Sequence, residues 1–517
     1  MSKKGFTLIE LLAVILILGI IALIAIPTVN NILKESRRGA FSSTLTNIEK
    51  AIEEKCTTEQ IKNQEITTMY TITNGVITPS LDIKGELPDG VIYVSKDCEV
   101  SFTLSDNNFT GTKEVGEEIV IVDKGNSNTI TVYKEALLNG TDPVLSSDLI
   151  PVTIANDGTV RKADLTTKWY SYAEKKWANA VILTEEGEIE EDGTILEDSI
   201  ESYFVWIPRY KYKLFDMGLY TGLTSTSYNG ENRKVIEIEF ENKNTPASVG
   251  TAVGEYHSHP AFQAFNVNGI WVGKFETTGS TSNLTIKPGK QSLRDISVKQ
   301  IFEISYNYKR ENDSHMMKNT EWGAVAYLTL SEYGLKTEPN INNNSNRLTG
   351  YSSVVTEGNG SLAGGNGTDA SITKPYNTEV GYKASTTGNI TGIYDTTGLL
   401  YEYVAAFVEG DSNYTPFQSN PVSTYGDKYF DVYPADSGLQ GYNNRILGDA
   451  TGEIGPFFYS SGNYINNWFL DCGSFITPGN WFIRSGEYSY QNYAGILAFN
   501  RTGGSMGSPS FRVVLAK

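Results

Sequence analysis

The sequence predicts an α+β chain: a long amino-terminal helix packed on a small antiparallel sheet, then a large α+β domain. Three observations carry this. An almost unbroken apolar run, residues 6–26, passes through Pro27 into a stripe of apolar residues at helical spacing. Short strand-like runs follow between residues 66 and 123. From about residue 200, strongly apolar runs such as YFVWIPRY (203–210) alternate with Gly-, Asn- and Tyr-rich connections.

The run 6–26 is 21 residues long. At about 1.5 Å per residue, such a helix covers the roughly 30 Å of a bilayer's hydrocarbon core. Glu10 sits inside it. A lone acid in a membrane helix costs a few kcal/mol and marks a partner or a function. Three readings compete. A secretory signal peptide has the basic start seen in Lys3 and Lys4, but its apolar core is shorter and ends at a small-residue cleavage site. An ordinary anchor leaves Glu10 unexplained. The string KKGFTLIE closely resembles the leader of type IV pilins and pseudopilins. That resemblance covers about the first 35 residues. It implies cleavage between Gly5 and Phe6 by a prepilin peptidase, methylation of the new amino terminus at Phe6, and pairing of Glu10 with a neighbouring subunit's terminal amine. Lys3 and Lys4 favour a cytoplasmic amino terminus. Lys34, Arg37 and Arg38 argue weakly the other way, and the resemblance places everything after Pro27 outside.

Val29, Ile32, Leu33, Phe41, Leu45, Ile48 and Ile52 recur at three- and four-residue steps and draw one apolar helix stripe. The runs 91–94, 100–104 and 119–122 read as strands, parted by turns such as Pro88-Asp89-Gly90. A helix laid on this meander gives the small α+β unit. Residues 124–200 hold ordered-looking pieces around Trp169-Tyr170 and Trp177 between polar stretches. The acidic run 185–201 reads as a solvated linker, because its acids lack EF-hand spacing. The last domain boundary is therefore set near 200. The low-complexity stretch 340–370 reads as a long mobile loop. Its Gly358-Asn359-Gly360 lacks the spacing of a phosphate loop.

At 517 residues, two or three domains are expected. A net charge of −18 argues against a nucleic-acid partner, because like charges repel. The three cysteines are Cys56, Cys98 and Cys472. In an exported chain Cys56 and Cys98 form the expected disulfide, leaving Cys472 an unpaired thiol.

Four carboxyl-terminal segments share a second resemblance: NTEWGAVAY (319–327), GNITGIYD (388–395) with GLLYEY (398–403), RSG (484–486) and SFR (510–512). Their order and spacing resemble the formylglycine-generating enzyme (sulfatase-modifying factor) superfamily, a variant of the C-type lectin fold, over roughly 200–517. The enzymes of that superfamily bind copper through a cysteine pair near the carboxyl terminus. The corresponding stretch here, 484–501, has no cysteine, so a copper site built on two thiolates cannot form. His257 and His259, two apart with Glu255 nearby, could be metal ligands, but His259-Pro260-Ala261-Phe262 reads as a structural segment of this domain type. No Gly-x-Ser-x-Gly elbow occurs, and a glycosidase carboxylate pair cannot be located without the fold.

The stretch 456–493 is crowded with Tyr, Trp, Ser, Asn and Gly, the residues that dominate antibody paratopes. The same residues also pack turns, so some must be core. Its candidate ligand contacts are Tyr459, Tyr464, Asn466, Asn467, Trp468, Trp481, Tyr488, Tyr490 and Asn492. Lectin-like domains mostly bind proteins or sugars, and the variable domains of diversity-generating retroelements share the fold, an analogy that does not fix function.

The expectation is a leader (1–5), a transmembrane and polymerisation helix (6–27), a pilin-like helix and small sheet (28–125), a linker or small β region (126–200) and a C-type-lectin-like domain (201–517). Its function would be that of a pilin-like or pseudopilin adhesin, held in the membrane or a filament with an exported head. Its partners would be other pilin subunits, the prepilin peptidase and a surface protein or glycan. The alternatives are a structural filament subunit and a tethered enzyme. No catalytic residue, metal or cofactor is expected.

Overall fold

The computed structural model describes residues 36–123 except 63, 65, 74, 96, 114, 117 and 118, then 141–215, 235–353, 373–409, 417, 419–434, 446–451, 453–454, 458–460, 464–466, 469, 471–473, 480–489, 494–502 and 509–517. The chain divides into two compact units, Met1–Ile130 and Thr131–Lys517. Among the described residues no helix is long and apolar enough to cross a membrane. The expected spanning segment 6–27 lies outside them, as do Gly5, Phe6 and Glu10.

In the first unit, helix α1 (36–61) buries Phe41, Leu45, Ile48, Ile52 and Cys56, the stripe drawn by the sequence. It packs on a six-stranded antiparallel sheet: β1 (Met69–Thr73), β2 (Val76–Thr78), β3 (Asp89–Val94), β4 (Val100–Ser105), β5 (Phe109–Lys113) and β6 (Val120–Asp123), in the order β2-β1-β3-β4-β5-β6. Alternation sets the register. Ile92 lies opposite Phe102 and Val94 opposite Val100, all four facing the helix side of the core. Gly111 lets the helix lie close, since a Cβ there would stand 2.2 Å from Leu45 Cδ1. A disulfide joins Cys56, near the end of α1, to Cys98 in the β3–β4 turn.

The second unit is built on two large sheets. The first runs Thr194–Ile195, Val160–Lys162, Ile150–Ile154, Asn179–Leu183, Ile200–Pro208, Gly269–Gly273, Val513–Leu515, His315–Met316. This corrects the domain boundary. Residues 150–183, read as linker or a small separate β region, supply strands to the same sheet as Ile200–Pro208, and Tyr170, Tyr172 and Trp177 belong to its core. The acidic run misled because it forms exposed turns: Gly187 N donates to Thr184 O and Gly193 N to Glu190 O, while Glu185, Glu186, Glu188, Glu190, Glu191 and Asp192 face solvent. It marks a surface, not a seam.

Two helices follow, one packed on the strand His315–Met316 of this sheet and one on Glu402–Val408 of the second. Helix α2 (Val298–Tyr308) opens on a capping box, with Gln300 N donating to Ser297 Oγ and Ser297 N to Gln300 Oε1. Helix α3 (Asn319–Thr329) is buried at every position. Trp322, Val325 and Tyr327 are buried, and Gly323 is required because a Cβ would stand 1.9 Å from Gly448 O. The second sheet centres on Glu402–Val408. Asp431–Tyr433 lies parallel on one side and Trp481–Arg484 antiparallel on the other, followed by Phe499–Thr502, Cys472–Gly473, Tyr464–Asn466 and Phe458–Ser460.

The core contains polar groups that sequence patterning hid. Glu453 accepts from Tyr212 Oη (2.7 Å), Tyr327 Oη (2.6 Å) and Gly448 N (2.5 Å). Burial pushes its carboxyl up to about 7. His259, caged by Tyr210, Tyr212, Phe262 and Tyr327, is pushed down to about 3 by burial. His257 sits apart, its Nδ1 2.9 Å from Gly250 O. Among the described residues no three His, Cys, Asp or Glu side chains converge as a metal set.

Two outcomes are expected. Cys98→Ser, or reductant, should lower the calorimetric transition of the first unit. Opening a loop of sequence separation 42 should cost about 4 kcal/mol of unfolded-chain entropy, and an unchanged transition would contradict this. In the second unit, Glu453 binds its proton more tightly folded than unfolded. Its stabilising contribution is complete below about pH 4.5 and is lost as pH rises through about 7, on the order of 3 kcal/mol. Thermal midpoints should therefore fall over that window, and Glu453→Gln should flatten the slope. An identical slope in the variant would refute the assignment.

Candidate functional site

Strand Trp481–Arg484 delivers the chain to the tyrosine-rich segment EYSYQNY (487–493). Arg484 fixes its approach. The buried guanidinium donates to Ala450 O (3.1 Å), Asp449 O (3.4 Å) and Asn319 Oδ1 (3.4 Å) and lies over the rings of Trp322 and Phe499. Burial pushes it down to about 10. Ser485 then turns through φ 58°.

The segment is pinched at its neck. A Cβ on Gly486 would stand 2.6 Å from Ala494 Cβ and 2.8 Å from Ala494 Cα, so the residues flanking 487–493 are in contact. This is the closed-end geometry of an Ω-loop. Three hydrogen bonds fasten the neck to the turn at Gly398-Leu399: Ser485 Oγ to Gly398 O (3.2 Å), Gly398 N to Ala494 O (2.8 Å) and Tyr488 N to Leu399 O (3.1 Å). That turn needs left-handed backbone at both residues, φ 74° and 60°. Asp395 braces the neighbouring segment, accepting from Gly350 N (2.8 Å) and Asn342 Nδ2 (2.8 Å). The base is thus buried and hydrogen-bonded, and the two flanks of 487–493 meet at one point.

Tyr488 is half-buried, and the Arg347 guanidinium lies 5.5 Å from its ring centroid. Among the described residues Arg347 forms no ion pair. Arg347 was not expected here, because it falls in the stretch 340–370 read as mobile loop. Instead Asn340, Asn342, Asn343 and Asn344 are buried. Asn344 N donates to Asn342 Oδ1 and Asn346 N to Asn344 Oδ1. These asparagines order their own backbone, so their polarity reports turns and not mobility. Residues 354–372 lie outside the described residues.

The other candidate contacts divide. Trp481 is a correction: it is 1 % exposed, stacked on Phe417 at 5.3 Å and set 5.1 Å from Phe407. It lies on a central strand covered on both faces, which aromatic composition does not reveal. Tyr459, Tyr464 and Asn466 lie on the hairpin Phe458–Ser460 and Tyr464–Asn466, where Tyr459 pairs with Ile465. Asn467, Trp468, Tyr490 and Asn492 lie outside the described residues. What the described part offers is recognition chemistry: an aromatic face, a guanidinium and the amide and hydroxyl groups beside them.

Trp481→Ala should cost about 3–5 kcal/mol of stability. Tyr488→Ala should cost about 0.5–1 kcal/mol, the worth of an exposed cation–π contact. Denaturant titration of both variants distinguishes them, and equal losses would move Tyr488 into the core.

Residues 1–26 match the family described as the prokaryotic N-terminal methylation motif. No curated protein matches the chain. Among solved structures it is similar to the "Major Tropism Determinant M1 Variant", at 13% identity over 80% of each chain with a TM-score of 0.24, an overlap too loose to bear on fold or function. The methylation motif supports a type IV prepilin-like amino terminus on this chain.

Proposed function

We propose that this is a type IV pilin-like or pseudopilin surface protein whose second unit, a lectin-like head, captures a surface protein or glycan through the loop 487–493. A prepilin peptidase cuts between Gly5 and Phe6, and Phe6 is methylated. The helix 6–27 anchors the chain in the membrane and joins it to other pilin subunits, with Glu10 meeting a neighbour's amine. The head is exported. The pinched, braced neck is the observation that carries the capture reading. A rigid base lowers the ordering cost of binding, and Tyr, Ser and Asn supply area and adaptable hydrogen bonds. The head acts by binding and carries no catalytic residue, metal or cofactor.

Full-length protein in detergent, tested on glycan and protein arrays, should capture a ligand. Tyr488→Ala and Tyr490→Ala should each weaken capture by about 2 kcal/mol or more, roughly 30-fold, with thermal midpoints near wild type. Capture unchanged by both variants would remove the loop from the site. No capture at all would leave a purely structural filament subunit.

A further inference from the structure

On the far side of the neck, two acidic side chains meet. Asp471 is fully buried and Glu338 is 3 % exposed. Glu338 Oε1 accepts from Ile496 N (2.9 Å) and Asp471 Oδ2 from Leu497 N (3.0 Å). Two consecutive amides after the loop are thus held by one carboxyl pair. A Cβ on Gly495 would stand 2.0 Å from Asp471 Oδ1 and 2.1 Å from Glu338 Oε1, so those two oxygens are near neighbours, no farther apart than the two distances together. Among the described residues no N–H or O–H donor reaches Asp471 Oδ1. Two carboxylates cannot satisfy each other, whereas a carboxyl and a carboxylate can, through one hydrogen.

We infer that Glu338 and Asp471 share a proton, and that this proton locks the carboxyl-terminal flank of the tyrosine-rich loop to the domain, the lock weakening as the pair ionises. The proton leaves to solvent and two like charges remain in a buried site, which is costly. Among the described residues, Arg484, at the end of the strand Trp481–Arg484, is the cation that faces Asp471, and Asp449 draws on the same guanidinium. The segment 494–498 brings no charge of its own. Burial pushes the Asp471 carboxyl up to about 6 from its ordinary 3.8. The locked state therefore holds its proton where the opened state has lost it. Opening grows easier as pH rises from about 4 to about 6 and then levels off. This inference concerns the loop's attachment and stands whether or not the loop captures a ligand.

Hydrogen exchange on the full-length protein tests it, corrected for intrinsic rates. Protection of the peptide spanning 487–498 should fall about tenfold per pH unit between about 4 and about 6 and be flat above. Protection in the strand Ile200–Pro208, a reporter of whole-domain opening, should fall far less. Asp471→Asn replaces the shared proton with an amide hydrogen and should keep the 487–498 peptide protected across the range. Glu338→Gln should do the same from the other partner. Protection independent of pH in the wild-type protein overturns the inference even if neither variant folds. So does a folded Asp471→Asn or Glu338→Gln protein that retains the wild-type pH dependence.

Discussion

The guanidinium of Arg512 holds the larger unit together. It is 1 % exposed, bonds Glu402 through Nε (3.2 Å) and Nη2 (2.7 Å), and donates to Gly273 O (2.8 Å) and Tyr394 O (3.0 Å). Glu402 opens the central strand of the second sheet and Gly273 closes a strand of the first. One side chain thus ties both sheets and the turn segment between them. A planar fork suits this task better than an ammonium would. Removing one partner of such a pair costs about 3–5 kcal/mol, because a charge is stranded in the core.

The same cluster is over-supplied with acid. Glu276 and Asp395 lie near Glu402, and burial pushes all three carboxyls up, Glu276 furthest. Beside them Lys274 donates to Asn179 Oδ1, Ile390 O and Gly392 O, three neutral acceptors and no carboxylate, and burial pushes its amine well down. The larger unit is built around buried, hydrogen-bonded polar groups. Asp395 serves two ends of this design: it belongs to the acid cluster and also braces the segment beside the loop's anchoring turn.

Much of the first unit was legible. The helix stripe from Phe41 to Ile52 has an unmistakable period, and Cys56 and Cys98 had no competing close pair. Three of the six strands were visible as apolar runs; β1, β2 and β5 are short or Gly- and Thr-rich and were not. In the second unit the reading failed where composition stood in for geometry. Charge at 185–201 was taken for a linker, yet it coats turns that lead straight into the strand Ile200–Pro208. The polarity of Asn340 to Asn344 was taken for mobility, yet those amides close on their own backbone. Aromatic density put Trp481 and Tyr488 in one class, although the first lies inside a sheet and the second beyond its end. Which face a side chain takes depends on strand pairing distant in sequence, and no local pattern records that.

The contact between Gly486 and Ala494 has a consequence for how this protein can change. Since Gly486 and Ala494 touch, the chain leaves and re-enters the framework at one point, and lengthening the segment between them does not require that point to open. Closing a flexible loop costs more only as the logarithm of its length, about 0.6 kcal/mol for a doubling. Insertions after Tyr488, beyond its bond to Leu399 O, would therefore cost little more than the added closure entropy. The larger unit can thus gain length at this segment without disturbing the buried contacts of its neck.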